Sequence, residues 1–296
     1  MSEILRTPDE CFDNLDGYPF LPNYVDLAGI RMHYIEEGKG PTVLLLHGEP
    51  SWSYLYRKMI PVLVEAGFRT IAPDLIGFGK SDKPVNASAY TYQSHMNWIT
   101  QFIRVLDLKE ITLFCQDWGG LLGLRLSAEN KERFNRICAA NTFLPTGDIK
   151  PSQAFLDWKN FSQNISKFPV GKIIQNGCVS KLSKGELASY NAPYPEEKYK
   201  IGARTFPLLV PIAPDDPASL ANRASWEILK KWDKPFLCLF SDQDPVTRGA
   251  DVFFRRLIPG SKGQPHETIT SAGHFLQEDQ GVLIAQKLVS WMRGIT

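Results

Sequence analysis

The chain has 296 residues, 43% of them hydrophobic, enough to bury a sizeable core as one domain or as one domain carrying an insertion. A net charge of +1 gives no electrostatic reason to expect nucleic acid, an anionic membrane or strongly acidic substrates. No apolar run approaches the ~18 residues of a membrane-spanning helix, and the first ten residues show no signal-peptide core, so we expect a cytoplasmic protein with a small neutral partner.

The cysteines (Cys11, Cys115, Cys138, Cys178, Cys238) are scattered, with no C-x-x-C pair and no metal-ligand spacing. We expect no metal and no cofactor. Two alternating runs, Tyr24-Val-Asp-Leu and Ile30-Arg-Met-His-Tyr-Ile, predict an antiparallel hairpin at a sheet edge, with His33 as an ordinary strand residue. Thr42-Val-Leu-Leu-Leu is the continuous apolar run of a strand buried on both faces. It ends in His47-Gly48-Glu49-Pro50, a loop at the carboxyl end of a central strand, where α/β sheets bind ligands. A helix from about Trp52 to Glu65 and a strand at Thr70-Ile-Ala-Pro follow. Gly77-Phe-Gly-Lys80-Ser81 looks like the end of a phosphate loop, but the full pattern needs glycine where the chain has Asp74, so nucleotide binding is rejected. Residues 92–107 have a helical pattern that carries His95 without a partner at metal-ligand spacing.

The most informative stretch is Ile111-Thr-Leu-Phe-Cys-Gln-Asp117-Trp118-Gly119-Gly120, followed by Leu121-Leu-Gly-Leu-Arg-Leu. A β-branched and aromatic run, a small-residue turn and leucines at helical spacing read as strand, tight turn, helix. This is the pattern of a nucleophile elbow, which usually reads G-x-S-x-G and here carries Asp117 in place of the serine. A carboxylate, with an ordinary pKa of about 3.9, is anionic at neutral pH and attacks without a base. On a saturated carbon it leaves an ester that water can cleave, whereas serine would leave an ether. The plainer alternative makes Asp117 the N-cap of the helix beginning near Trp118.

Arg136-Ile-Cys-Ala-Ala-Asn141 predicts a further strand, and residues 145–222 change rhythm to helical segments without a strand run. The βα rhythm resumes at Lys234-Pro-Phe-Leu-Cys-Leu-Phe240 and continues through a helix at Asp251 to Leu257 and a strand at His266 to Thr270. An amphipathic helix, Gly281 to Trp291, closes the chain. Strands alternating with helices argue for an α/β protein with a mostly parallel, doubly wound sheet and an inserted helical cap. The expected core is 1–144 with 223–296, and the expected cap is 145–222.

Asp117, a carboxylate after a later strand and His274 after the last strand occur in the α/β-hydrolase order of nucleophile, acid, histidine. His274 would take the proton from water attacking the ester, and so must be neutral at working pH. A carboxylate would hold its tautomer. Asp244 and Asp242 compete for that place, and Asp244 is preferred because Asp244-Pro245 starts the turn into the next helix. His47, beside Gly48, reads as a loop-shaping residue.

Three motifs, His47-Gly48-Glu49-Pro50-Ser-Trp-Ser-Tyr-Leu-Tyr-Arg57, Gly77-Phe-Gly-Lys-Ser-Asp-Lys-Pro84 and Gln116-Asp117-Trp118-Gly119-Gly120, resemble those of the haloalkane dehalogenases. The resemblance implies an α/β-hydrolase fold, displacement of halide by Asp117, water activated by His274 and support from Asp244. It also implies an oxyanion hole from the backbone N–H groups of Glu49 and Trp118. The expected partners are a small halogenated aliphatic substrate, water and halide, and the expected assembly is a monomer. Trp118 is the implied first halide donor, since an indole N–H is a neutral donor on an apolar body. Where many members carry Asn in H-G-N-P this chain has Glu49, so it is similar to the branch that uses a cap tryptophan, here Trp158 of Phe155-Leu-Asp-Trp158-Lys-Asn-Phe161. Phe155, Trp158 and Phe161 also fall at i, i+3, i+6, a spacing that by itself favours plain cap packing; only the resemblance gives Trp158 the halide role. Leu121, Phe155, Phe206, Pro207 and Val210 match cavity-lining positions. The rival enzyme, an epoxide hydrolase, needs cap tyrosines such as Tyr190 and Tyr194. A non-enzymatic rival, a small-molecule receptor on this fold, would show no covalent turnover.

Overall fold

The computed structural model describes residues 3–294, so the outermost two residues at each end of the expected core lie outside it. Its centre is an 8-stranded sheet built from β1 (Asn23–Asp26), β2 (Arg31–Glu37), β3 (Thr42–Leu46), β4 (Arg69–Pro73), β5 (Ile111–Gln116), β6 (Phe134–Ala140), β7 (Phe236–Ser241) and β8 (Glu267–Ile269). The spatial order is β8-β7-β6-β5-β3-β4-β2-β1. Strands β3 to β8 are mutually parallel, and β2 runs antiparallel to both neighbours, as the edge hairpin predicts. Every residue of β3 and β5 is buried, which is why they read as unbroken apolar runs.

The helices are α1 (Ile60–Glu65), α2 (Tyr92–Val105), α3 (Trp118–Glu129), α4 (Gln153–Asn164), α5 (Val170–Asn176), α6 (Lys184–Asn191), α7 (Ile201–Leu209), α8 (Ser219–Leu229), α9 (Ala250–Leu257) and α10 (Leu276–Met292). Helix α1 packs with α10, while α2 and α8 pack with α3, which itself lies on β3, β5 and β6. Helices α4 to α7 stand between β6 and β7 in sequence, and among the described residues no strand interrupts them.

Three expectations are corrected. The helix foreseen from Trp52 to Glu65 is a short 3-10 turn, Ser53–Tyr56, then α1, because Pro61 has no N–H to continue a helix through it. The final helix begins earlier, at Leu276, and carries a non-helical residue, Gln280 (φ −135°), before the predicted Gly281 start. The boundary expected at 222/223 falls inside α8, which packs on α3; its Asn222 and Trp226 donate to the carbonyls of Pro145 (2.8 Å) and Leu144 (2.8 Å). The 77–81 loop, which looked like a phosphate loop, wraps a buried carboxylate of its own. Asp74 accepts from Lys80 N (2.8 Å), Ser53 N (2.7 Å) and the ring of His33 (2.7 Å). Among the described residues no helix is long and apolar enough to cross a membrane.

Candidate active site

Asp117 stands between β5 and α3 with φ +51°, ψ −129°, a conformation that a non-glycine residue adopts only when its surroundings impose it. Those surroundings are close. A Cβ on Gly119 would lie 1.9 Å from the Leu46 carbonyl oxygen, and one on Gly48 would lie 2.0 Å from Asp117 Oδ1. The Asp117 backbone is tied at both ends: its N–H donates to Asn141 O (3.0 Å), and its carbonyl accepts from Thr142 Oγ1 (2.7 Å). Although Asp117 occupies the N-cap position of α3, its side chain makes no capping bond. Its Oδ1 accepts instead from the Glu49 N–H at 2.7 Å, and its Oδ2 lies 3.4 Å from His274 Nε2. Trp118 opens the first turn of α3, where backbone N–H groups have no partner within the helix and carry the positive end of its dipole.

His274 sits in the loop between β8 and α10, with Nδ1 3.1 Å from Asp244 Oδ2. Asp244 is 2% exposed and also accepts from Val246 N (2.9 Å), Thr247 N (3.3 Å) and the Thr247 hydroxyl. Burial pushes its carboxyl up, but the charge and proximity of His274 and these donors outweigh that and hold it at about 2. Asp242 faces away and caps the loop through Ser271 N and Ala272 N, both at 3.2 Å. Burial lowers the His274 pKa, yet the charge of Asp244 and the contact with Asp117 outweigh it and raise it to about 10. The expected role, taking a proton from water, needs the ring neutral at that step. An anionic Asp117 beside the ring favours its protonated form; conversion of Asp117 to a neutral ester would remove one of the two carboxylates that favour it. Glu49 is 5% exposed, and burial, then the Asp117 charge, drive its carboxyl well above the usual range. His47 is a neutral structural group: its Nδ1 donates to Gly48 O (2.8 Å) and its Nε2 accepts from Leu75 N (2.9 Å).

A cavity of about 1130 Å³ opens over this group, lined by Asp117, Trp118 and Leu121 from the elbow, Phe155, Trp158 and Phe161 from α4, and Pro207 and Val210 at the end of α7. The three α4 aromatics all line it, and Ser162 is the buried residue of that helix, so their spacing reports a cavity wall and not an interior core. Phe206 is the exception among the expected lining residues. It is fully buried one layer back, its ring 4.5 Å from Trp118, 4.7 Å from Phe78 and 4.4 Å from His95. The indole N–H groups of Trp52 and Trp226 are spent on backbone carbonyls, and that of Trp291 on Gln264. Trp118 and Trp158 both line the cavity, whereas the Trp232 indole nitrogen is buried without a partner among the described residues and does not line it.

Residues 41–280 match the family model of the alpha/beta hydrolase fold. A haloalkane dehalogenase of Psychrobacter cryohalolentis is 57% identical over 98% of both chains, and one of Mycobacterium marinum is 49% identical over 98% of this chain and 99% of its own. The solved structure of the tetrameric haloalkane dehalogenase DpaA from Paraglaciecola agarilytica NO2 superposes with a TM-score of 0.90 at 39% identity, over 96% of this chain and 97% of that one. The chain belongs to the haloalkane dehalogenases.

Two residues of this haloalkane dehalogenase went unassigned in the sequence. Asn141, at the end of β6 with φ +36°, donates from Nδ2 to Ser241 Oγ (2.8 Å), Gly273 O (2.9 Å) and His274 O (3.1 Å), and accepts from Ser241 N (2.9 Å). Since its carbonyl also receives the Asp117 N–H, it joins the loops bearing the nucleophile and the histidine to the end of β7. Gln116 donates to His274 O at 3.0 Å, and the same nitrogen lies 3.2 Å from His274 Nε2. Its place immediately before Asp117, on a strand end that faces the histidine loop, was the available signal. Tyr190 and Tyr194, which an epoxide-opening site would need, are buried and absent from the cavity wall; the Tyr190 hydroxyl is spent on Glu278.

Proposed function

We propose that Asp117 is the nucleophile of this hydrolase, His274 the base and Asp244 its supporting acid. The protein hydrolyses haloalkanes to alcohol and halide. Asp117 attacks the carbon bearing the halogen, the C–X bond breaks, and the halide leaves with the bonding pair onto the indole N–H groups of Trp118 and Trp158. His274, relieved of the Asp117 charge, loses its proton to solvent and then takes one from water as the water oxygen attacks the ester carbonyl carbon. The Glu49 and Trp118 N–H groups hold the resulting oxyanion; one such donor is typically worth about 10²–10³ in rate. Collapse breaks the ester C–O bond, the alkoxide leaves as the alcohol with the second proton of that water, and Asp117 is again a carboxylate. The observation that carries this reading is an unprotected carboxylate on the elbow with the histidine 3.4 Å away, at the floor of an apolar cavity.

The substrate is a small halogenated aliphatic compound bound under a cap formed by the helices between β6 and α8. We further infer a monomer, because this one chain supplies every group named, and a cytoplasmic location, in keeping with five free thiols. Sedimentation decides the first against the tetramer described for DpaA. The central test is bromide release from 1,2-dibromoethane and 1-bromobutane by wild type and His274→Ala, with protein mass followed in parallel. Wild type turns over many times; the variant stops near one equivalent and gains an alkyl group on Asp117. No bromide and no mass gain from either would overturn the assignment and leave a receptor.

A further inference from the structure

The three peptide units around His274 are gripped from two sides. Their carbonyl ends are held by the core: Ala272 O by Gln243 N (3.1 Å), Gly273 O by Ser241 Oγ (2.8 Å) and Asn141 Nδ2 (2.9 Å), and His274 O by Gln116 Nε2 (3.0 Å). Two of their amide ends are held from elsewhere. Gly273 N donates to Asp279 Oδ2 at 2.8 Å, and Phe275 N donates to the carbonyl of Gly177, in the segment after α5, at 3.1 Å. Asp279 reaches that segment too: Oδ2 accepts from Val179 N (3.0 Å) and Oδ1 from Ser180 N (2.7 Å). The seam has no slack, since a Cβ on Gly273 would lie 2.3 Å from Gly177 O and one on Gly177 would lie 2.6 Å from the Phe275 ring. Gly177, Cys178, Val179, Gly273, His274 and Phe275 together form one wall of the cavity.

We propose that Asp279 is a positioning residue for His274, through which residues 177–180 of the cap set where the base stands. This rests on the reading of His274 as the base. An ionised carboxylate is the strongest acceptor the chain can offer to three converging N–H groups. Asp279 touches neither Asp117 nor the two indoles, so its influence falls on one step. Alkylation uses the elbow, tied through Glu49, Asn141 and Thr142, whereas ester hydrolysis depends on where His274 Nε2 stands. A displacement of about 1 Å there costs on the order of 10²-fold.

The test mixes excess 1,2-dibromoethane with wild type, Asp279→Ala, Asp279→Asn and His274→Ala, and reads the bromide burst, the steady rate, protein mass and Tm. The expected result for Asp279→Ala is a burst of about one equivalent at the wild-type rate, a steady rate lowered about 10- to 100-fold and accumulation of alkyl-enzyme. Asp279→Asn, which keeps one acceptor oxygen, falls between it and wild type. If burst and steady rate fall in the same proportion together with Tm, or neither changes, while His274→Ala still traps the ester, the proposal is wrong and Asp279 serves the fold alone. If His274→Ala traps no ester, it is the base assignment that fails, and this proposal goes with it.

Discussion

The elbow and helix α4 line the same cavity and are held in very different ways. At the elbow, Asp117 adopts a positive φ, two glycines have backbone or carboxylate oxygens where a Cβ would stand, and both ends of the Asp117 backbone are hydrogen-bonded. Helix α4 has one buried residue, Ser162. Its first turn is tied to the core by Ser152 Oγ donating to Val246 O (3.1 Å), and its last turn to α7 by Arg204 donating to Ser162 O (3.3 Å). Displacement at carbon needs a nucleophile fixed to a fraction of an ångström, so the sheet supplies it. In the proposed mechanism, accepting a departing halide and fitting a substrate chain tolerate adjustment, and those fall to a half-exposed helix.

That contrast is broken first by substitution at the elbow. Gly119→Ala drives a methyl group into the Leu46 carbonyl, a backbone atom that cannot step aside, so α3 must move and carry Asp117 with it. We expect destabilisation of about 1–3 kcal/mol, from the urea midpoint, and a loss of alkylation rate of about 10²-fold or more. Phe161→Ala on α4, a change of far more atoms at a 42% exposed site, should alter Tm by less. The two proposed halide donors sharpen the comparison. Trp118→Phe removes a donor held by the core and should cut the alkylation rate about 10²-fold, whereas Trp158→Phe on α4 should cost about tenfold. Equal losses would mean that α4 is as firmly placed as the elbow. The smallest signal is a single proton. Because His274 is raised toward 10 by its two carboxylates, alkylation of Asp117 lowers it and releases a proton with the first bromide; a pH indicator in rapid mixing should see that proton in the burst. A proton appearing only at the rate of alcohol formation would show a ring neutral from the start.

Much of the elbow was legible because its requirements are local. A buried strand, Asp117 and glycines at close approach write themselves into ten consecutive residues, and the strand-helix rhythm places the histidine and the acid after it. What escaped depends on contacts distant in sequence. Asn141 looks like a neutral strand end until the structure brings Ser241 and Gly273 to its amide. Phe206 and Leu121 are the same kind of residue in sequence, yet Leu121 faces the cavity and Phe206 fills the layer behind Trp118. Apolar pockets and apolar cores draw on one alphabet. The boundary of the insertion was misplaced because helix continuity through residue 222 is a matter of packing on α3, not of composition.

The stem of that insertion bears on how such proteins can be recombined. Its outgoing chain at Leu144 and Pro145 is bonded directly to Asn222 and Trp226 on the returning helix, so the two ends of everything between them are already stitched side by side. A helical segment of another length, grafted between the same two ends, would leave the closure of the stem unchanged, and loop-closure entropy grows only slowly with the residues enclosed. Such a graft would have to keep what the segment gives the core: a carbonyl at position 177 and amides at 179 and 180 for the histidine loop, the Ser189 carbonyl for the Trp52 indole, and the Phe206 ring behind Trp118.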